Sequence, residues 1–227
     1  MGRSLPSARS LLSGIGSAIL KRQVLAINGR KKASRAALAA AKAAYEDDAV
    51  APPEGYELAH GTKTLKFYRS KADPSKVLLG VRGTKDFKDV KADAALSFGM
   101  LRHSRRYKED RDAVQEYLRR HPGAKITTSG HSLGGAVARQ LARDFSEHVE
   151  GGVGYNSAIG LDELLRPSRL KLGKQKRYST RLDFLRLLSS PFLRKEDRPT
   201  VVHSGPSGLN PLTAHKANNF DATQAGV

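Results

Sequence analysis

The sequence has 227 residues, 40 Lys plus Arg against 22 Asp plus Glu, a net charge of +18, and neither Cys nor Trp. This length suits one domain with an appendage and allows a substantial core, whereas a second full domain is not expected. The lack of Cys excludes a disulfide framework, a Cys-ligated metal or iron–sulfur site and a thiol nucleophile. Any covalent catalysis therefore needs another nucleophile.

The positive charge is concentrated near the N-terminus. Residues 1–45 carry nine basic side chains and no acid, so they contribute +9, and the remaining 182 residues supply the other +9. We interpret residues 1–32 as a basic arm that precedes a domain at 33–227. The arm favours an anionic membrane surface or a nucleic acid as partner, and the alternative is a merely soluble cationic surface.

The first 30 residues also combine a short apolar patch with Arg and Ser. This composition is typical of an organelle transit peptide or of an interfacial helix. The longest apolar run, 36–41, is far shorter than the roughly 18 residues of a spanning helix, so none is expected.

Four elements are predicted in the N-terminal half of the domain. An Ala-rich helix over 33–45 is followed by a loop at the Pro and Gly residues of 52–55. Two β-type runs, 64–68 and 76–82, are separated by turn residues and predict a hairpin. A charged, amphipathic helix over 105–120 follows, and a His-Pro-Gly sequence ends it.

The C-terminal half continues this alternation. A strand at 124–129 leads into a Gly-rich turn at 130–135, and a helix follows to about residue 145. Three further strands are expected, at 152–156, 176–182 and 200–203. Strands that alternate with helices predict an α/β fold, with a mixed, mostly parallel sheet flanked by helices.

The pattern Gly130-x-Ser132-x-Gly134 has the form of a nucleophile elbow, in which a sharp strand-to-helix turn exposes the serine hydroxyl. A side chain two residues before or after the serine would collide with the neighbouring strand or helix. The N-terminus of the following helix favours a developing oxyanion. The alternative is an accidental Gly-Ser turn, against which stand the β-type residues before it and the helix formers after it.

The stretch 128–136, Thr-Ser-Gly-His-Ser-Leu-Gly-Gly-Ala, resembles the elbow of the class 3 (fungal-type) lipases, an α/β-hydrolase family. In that family a strand ends in an Arg-Gly-Thr/Ser step and an Asp follows, and here Arg82-Gly83-Thr84 leads to Asp93. The helix that ends in Tyr45 is similar to the Ala-rich helix that opens those domains. The resemblance runs in order over roughly 33–220 and implies an α/β-hydrolase fold.

A triad histidine follows the nucleophile in this fold, and only His148, His203 and His215 come after Ser132. We favour His215, because its loop is similar to the His-containing C-terminal segment of the family and loops deliver triad histidines. The alternative is His203, which closes the last predicted strand. His148 lies near the end of the elbow helix and is expected at the surface.

The triad acid precedes the histidine in the same order. Asp183 follows a β-type run and stands where the family carries its triad Asp, so we predict that it orients the base. Asp162, which resembles a Gly-Asp loop element of the family, and Asp197, in a charged run, are the alternatives. An ordinary solvated aspartate is the other interpretation of Asp183.

The oxyanion donors are expected to be the backbone N–H groups of Leu133 and Thr84. His131 completes the elbow between Gly130 and Ser132. The segment 86–101 occupies the position of the family's lid, and its apolar side chains either cover an acyl-binding cleft or face the core.

Together these features predict a serine ester hydrolase of lipase or phospholipase type that cleaves acyl esters of lipids through a Ser-Asp-His triad and an acyl-enzyme. No motif for a metal, nucleotide or flavin is found, so no cofactor is expected. Two features, the arginines Arg102, Arg105 and Arg106 and a compact domain with little room for a large acyl pocket, favour an anionic phospholipid or a short-chain ester as substrate. The alternative function is a structural protein of hydrolase fold, for example in a virion, that binds an anionic membrane or nucleic acid.

Overall fold

A computed structural model of the chain describes residues 32–46, 51–84, 101–159, 174–181, 183, 185–186, 199–202 and 220. Seven strands form one sheet and follow one another across it in sequence order. The first three strands pair antiparallel, and the third to the seventh pair parallel. The strands are β1 Tyr56–Gly61, β2 Leu65–Ser70, β3 Lys76–Val81, β4 Lys125–His131, β5 Val149–Tyr155, β6 Lys174–Thr180 and β7 Thr200–Val202.

Helices cover both faces of this sheet. They are α1 at 32–43, α2 at Arg105–Arg120 and α3 at Leu133–Asp144, with a 3₁₀ turn at Leu101–His103. The alanines of α1 pack on one face with Tyr68 and Leu78. Val114 of α2 and Val137 of α3 pack on the other face with Phe67. Because β-strands alternate their side chains between faces, neighbouring residues of β2 and β3 contribute to opposite layers.

The sheet agrees with the predicted mixed, mostly parallel architecture, and the hairpin and the helix over 105–120 are both confirmed. Strand β1 was not predicted, because Tyr56–Gly61 lies at the sheet edge and has no β-branched residue. Strand β4 continues two residues past its predicted end, to His131, so the first half of the elbow motif belongs to the strand. Strand β6 ends at Thr180, two residues before the predicted end, which leaves Asp183 in a turn.

Several predicted features lie outside the described residues. They are the arm up to residue 31, most of the lid segment, and the candidate residues Asp162, Asp197, His203 and His215. Within the described ranges, no helix is long and apolar enough to cross a membrane.

Helix α3 starts unusually close to the end of β3. A Cβ atom added to Gly134 would lie 2.8 Å from the carbonyl carbon of Arg82, and one added to Gly130 would lie 2.8 Å from the backbone nitrogen of Gly135. Real Cβ atoms do not approach backbone this closely, so larger residues at these positions would push the helix away from the sheet.

Helix α2 also contacts the end of β3, through Asp110 and Arg106. Asp110 is 1% exposed, accepts a hydrogen bond from the Thr64 hydroxyl and lies 3.5 Å from Nε of Arg106. Arg106 in turn donates to the carbonyl oxygen of Arg82. Burial raises the pKa of Asp110, while the Thr64 hydrogen bond and the charge of Arg106 oppose the shift. The buried carboxylate therefore depends on its partners.

We expect Gly134→Ala to lower the free energy of unfolding by about 1–3 kcal/mol, because overpacking against Arg82 outweighs the better helix propensity of Ala. The matched control is Gly123→Ala, where an added Cβ meets nothing within 4 Å and the change should stay within about 0.5 kcal/mol. Urea denaturation of both variants measures the difference. Equal stabilities of the two variants would show that α3 can shift to accommodate the added methyl group.

We expect Asp110→Ala to lower the free energy of unfolding by about 2–4 kcal/mol, because it removes the carboxylate that Arg106 faces and the acceptor of the Thr64 hydroxyl. This loss of stability is smaller than for a fully buried ion pair, because the Arg106 side chain is 26% exposed. Asp112→Ala on the same helix removes an exposed carboxylate and should cost less than about 0.5 kcal/mol. A loss of equal size in both variants would contradict the anchoring role of Asp110.

Candidate active site

The candidate site lies at the carboxyl edge of the parallel strands. Arg82–Thr84 follows β3, Ser132 follows β4, Asn156 follows β5 and Asp183 follows β6, and these four strands are consecutive neighbours in the sheet. In open α/β sheets the carboxyl ends of the strands are where ligands bind, because the loops that leave them meet there. The sheet therefore gathers segments that are up to 101 residues apart, from Arg82 to Asp183.

Ser132 has a strained backbone. Its φ of 56° and ψ of −127° lie outside the regions that a non-glycine residue prefers. Three backbone hydrogen bonds hold it: its N–H donates to Tyr155 at 3.0 Å, and its carbonyl accepts from Gly135 at 3.0 Å and from Ala158 at 3.1 Å. Such strain persists only when the surroundings over-determine it, and it concentrates at functional residues.

The Arg82–Gly83 step lies against both flanks of Ser132. A Cβ on Gly83 would come within 2.7 Å of the carbonyl oxygen of His131, and Gly134 touches the backbone of Arg82 on the other side. Thr84, directly after this step, is half-buried. Leu133 is the first residue of α3, so its N–H has no acceptor within the helix and lies at the positive end of the helix dipole.

Tyr45, just after α1, is a site neighbour that the sequence did not single out. Its hydroxyl oxygen lies 3.0 Å from Nδ1 of His131 and donates to the carbonyl oxygen of the same residue at 3.4 Å. Burial raises the pKa of Tyr45 to about 12, although a hydrogen bond with the backbone of Gly83 and the charges of Arg106 and Arg82 lower it in part. The sequence carried no signal for this contact, because Tyr45 and His131 are 86 residues apart.

Asp183 is fully buried in the turn after β6. Its N–H donates to the carbonyl of Thr180 at 3.2 Å, and its Oδ1 accepts from the backbone N–H of Arg186 at 2.9 Å. Neighbouring strands are spaced by about 4.8 Å, so the ends of β4 and β6, two places apart, are about 10 Å from each other.

Asn156 holds the turn that carries Asp183, and sequence reasoning also missed it. It has a positive φ of 42°, which Asn tolerates better than most residues. Its Oδ1 accepts from the N–H of Thr180 at 2.9 Å and from the hydroxyl of Ser179 at 3.1 Å. The only signal was its place at the end of a predicted strand.

Of the three histidines that follow Ser132, His148 is the one among the described residues. His148 immediately precedes β5, and its Nδ1 is 3.4 Å from the carbonyl oxygen of Ala124, just before β4. It therefore lies at the amino edge of the sheet, the opposite edge from Ser132, and is half-buried rather than fully at the surface.

The arginines near the site have acidic partners. Arg102 lies 3.2 Å from Asp144, Arg105 lies 2.7 Å from Glu109, and Arg106 lies 3.5 Å from Asp110. Their charges are thus opposed locally, which weakens the argument that they favour an anionic substrate. Among the described residues, no three His, Asp or Glu side chains are grouped so that they could hold a metal ion.

Residues 83–152 match the family model of the class 3 lipases. This segment of 70 residues, just under a third of the chain, begins at Gly83 and contains β4, Ser132, α3 and most of β5. No curated protein matches the sequence.

Chains of known structure match the fold. Lipase II from Rhizopus niveus is 18% identical with a TM-score of 0.50, and the match covers 80% of this chain and 79% of that one. A triacylglycerol lipase from Penicillium expansum is 16% identical, with a TM-score of 0.48 and coverage of 76% and 77%. Rhizomucor miehei lipase, in a propeptide complex, is 15% identical, with a TM-score of 0.47 and coverage of 81% and 67%.

At these identities the similarity to solved structures shows the fold alone. The family is indicated separately, by the match of residues 83–152 to the family model. The chain therefore has the α/β-hydrolase fold of the fungal lipases, and its residues 83–152 match the class 3 lipase model, in line with the predicted resemblance.

Proposed function

We propose that this protein is a serine ester hydrolase that cleaves acyl esters of lipids. The class 3 lipase segment and the hydrolase fold support the general class of a lipid ester hydrolase. The observation that carries the proposal is the strained turn at Ser132, held between the carboxyl end of β4 and the N-terminus of α3 and flanked by the Arg82–Gly83 step. Backbone strain of this kind concentrates at functional residues.

In the proposed reaction, Oγ of Ser132 attacks the carbonyl carbon of the ester while His215 accepts the hydroxyl proton. The tetrahedral intermediate collapses, the bond to the alkoxide oxygen breaks, and His215 returns the proton to the leaving alcohol. Water then attacks the acyl-enzyme by the same route and releases the fatty acid. Asp183 orients the imidazole and stabilises its charged form.

Backbone amides stabilise the oxyanion in this proposal. The N–H of Leu133 and the N–H of Thr84 donate to it, with the dipole of α3 adding favourable potential. Acylglycerols are the proposed substrates, because Arg102, Arg105 and Arg106 each have an acidic partner that reduces the charge they offer to a phosphodiester. Preferential hydrolysis of a phospholipid would instead identify a phospholipase.

The proposed role of the arm is to hold the enzyme on an anionic membrane surface. Three of the nine basic residues of 1–45 lie in α1; of these, Lys42 donates to the carbonyl oxygen of Phe220 at 3.1 Å and Lys32 lies 3.5 Å from Glu54. The six others precede α1 without any acid among them: Arg3, Arg9, Lys21, Arg22, Arg30 and Lys31. Each cation near an anionic bilayer contributes about 1 kcal/mol.

Ser132→Ala tests the nucleophile. The unmutated protein should react covalently with a fluorophosphonate and hydrolyse p-nitrophenyl butyrate, and the variant should lose turnover by roughly a million-fold because the acyl-enzyme cannot form. Intact-mass spectrometry and a spectrophotometric ester assay measure the two effects. If the unmutated protein is neither labelled nor active, with or without emulsified tributyrin, the structural alternative is favoured.

The same assays identify the base. His215→Gln should reduce turnover on the scale of Ser132→Ala, whereas His203→Gln should leave most of it. His148→Gln is the matched control at the opposite edge of the sheet and should behave as the unmutated protein. A large loss only in His203→Gln would assign the base to His203.

Removal of residues 1–31 tests the predicted arm of 1–32 and spares Lys32, the first residue of α1. We expect binding to vesicles that contain phosphatidylserine to weaken by about 100-fold or more at low salt, and hydrolysis of the soluble ester to be retained. Vesicle co-sedimentation measures binding, and the full chain with the six cations changed to Gln controls for arm length. Equal binding of all three proteins would rule out the membrane role, and tighter binding to single-stranded RNA than to vesicles would favour a nucleic-acid partner.

A further inference from the structure

We propose that Tyr45 is a positioning residue that holds the two sides of the oxyanion site, the Gly83–Thr84 step and the His131–Leu133 elbow, at a fixed separation. This inference rests on the proposed esterase function and adds a residue from outside the 83–152 segment to it.

The Tyr45 hydroxyl lies between the two segments. It is 3.0 Å from Nδ1 and 3.4 Å from the carbonyl oxygen of His131, the residue before the nucleophile. The same hydroxyl packs directly against Gly83, because a Cβ atom on Gly83 would collide with it. A Cβ on Gly83 would lie 3.1 Å from Cζ of Tyr45, so the phenol occupies the space that a larger residue at 83 would need. One hydroxyl therefore contacts both sides of the site.

Helix α1 gives this hydroxyl a fixed position. The hydroxyl of Ser129, in β4, donates to the carbonyl oxygen of Ala37 at 2.6 Å. A Cβ on Gly80, in β3, would lie 2.6 Å from the carbonyl oxygen of Ala40. The helix is thus seated directly on the two strands whose ends carry the site, and the chain just after it delivers Tyr45 to the gap between them.

The separation of the two sides matters because oxyanion donors act only within about 2.7–3.1 Å of the oxygen on which charge develops. Thr84 N–H belongs to one side and Leu133 N–H to the other, so a change in separation lengthens at least one hydrogen bond in the transition state. A displacement of about 1 Å lowers rates by roughly 100-fold. A tyrosine hydroxyl is protonated at neutral pH, so that of Tyr45 has a proton to donate.

Tyr45→Phe removes the hydroxyl and keeps the ring. With p-nitrophenyl butyrate we expect kcat to fall by about 10- to 100-fold and KM to change by less than about threefold, because the loss is confined to the transition state. The rate of fluorophosphonate labelling should fall in parallel. Tyr117→Phe removes a hydroxyl from a buried tyrosine of α2, on the other face of the sheet, and should leave both rates unchanged.

Amide hydrogen exchange provides a readout that does not depend on activity. Exchange at Gly83 and at His131–Ser132 should accelerate in Tyr45→Phe and stay unchanged in Tyr117→Phe, with similar unfolding midpoints. Unchanged exchange and an unchanged kcat in Tyr45→Phe would overturn the proposal, as would a rise in KM with kcat retained. If the unmutated protein is inactive, the proposed function fails, and the exchange rates alone decide whether Tyr45 joins the two segments.

Discussion

Contact between the end of β3 and the Ser132 turn determines the geometry of the candidate site. The Arg82–Gly83 step touches His131 on one side and Gly134 on the other, at distances that leave no room for a Cβ atom. Three hydrogen bonds through Tyr155, Gly135 and Ala158 hold Ser132 in its strained conformation. Because these glycines have no side chains, the backbone after β3 packs directly against the backbone of the Ser132 turn. The strained conformation of Ser132 and the positions of the proposed oxyanion donors therefore depend on the same contact.

Residues away from the turn keep this contact in place. On one face of the sheet, Tyr45, just after α1, contacts Gly83 and His131. On the other, α2 carries Asp110 and Arg106, and the arginine donates to the carbonyl of Arg82. At the β5 and β6 ends, Asn156 uses its amide to hold the turn of Asp183. The site is therefore supported from both helical layers and from the neighbouring strands.

Much of the fold followed from local pattern. The charged helix at 105–120 was predicted with its observed bounds, because its apolar residues recur at helical spacing and a His-Pro-Gly sequence ends it. The elbow motif was visible because it combines β-type residues, two spaced glycines and a helix within about 20 residues. Strand β1 was missed because an edge strand buries little and shows no alternation. Tyr45 and Asn156 were missed because their partners are remote in sequence.

By itself, the sequence determined the α/β alternation, the Gly-x-Ser-x-Gly turn and the basic, acid-free N-terminal segment, since these depend on composition and on neighbours within a few residues. Only the tertiary structure decided which remote residues meet. It paired Tyr45 with His131, gave the arginines of 102–106 acidic partners, and brought four strand ends to one edge. Hydrophobic periodicity specifies which face of an element is buried, but strand order and helix placement specify what that face contacts.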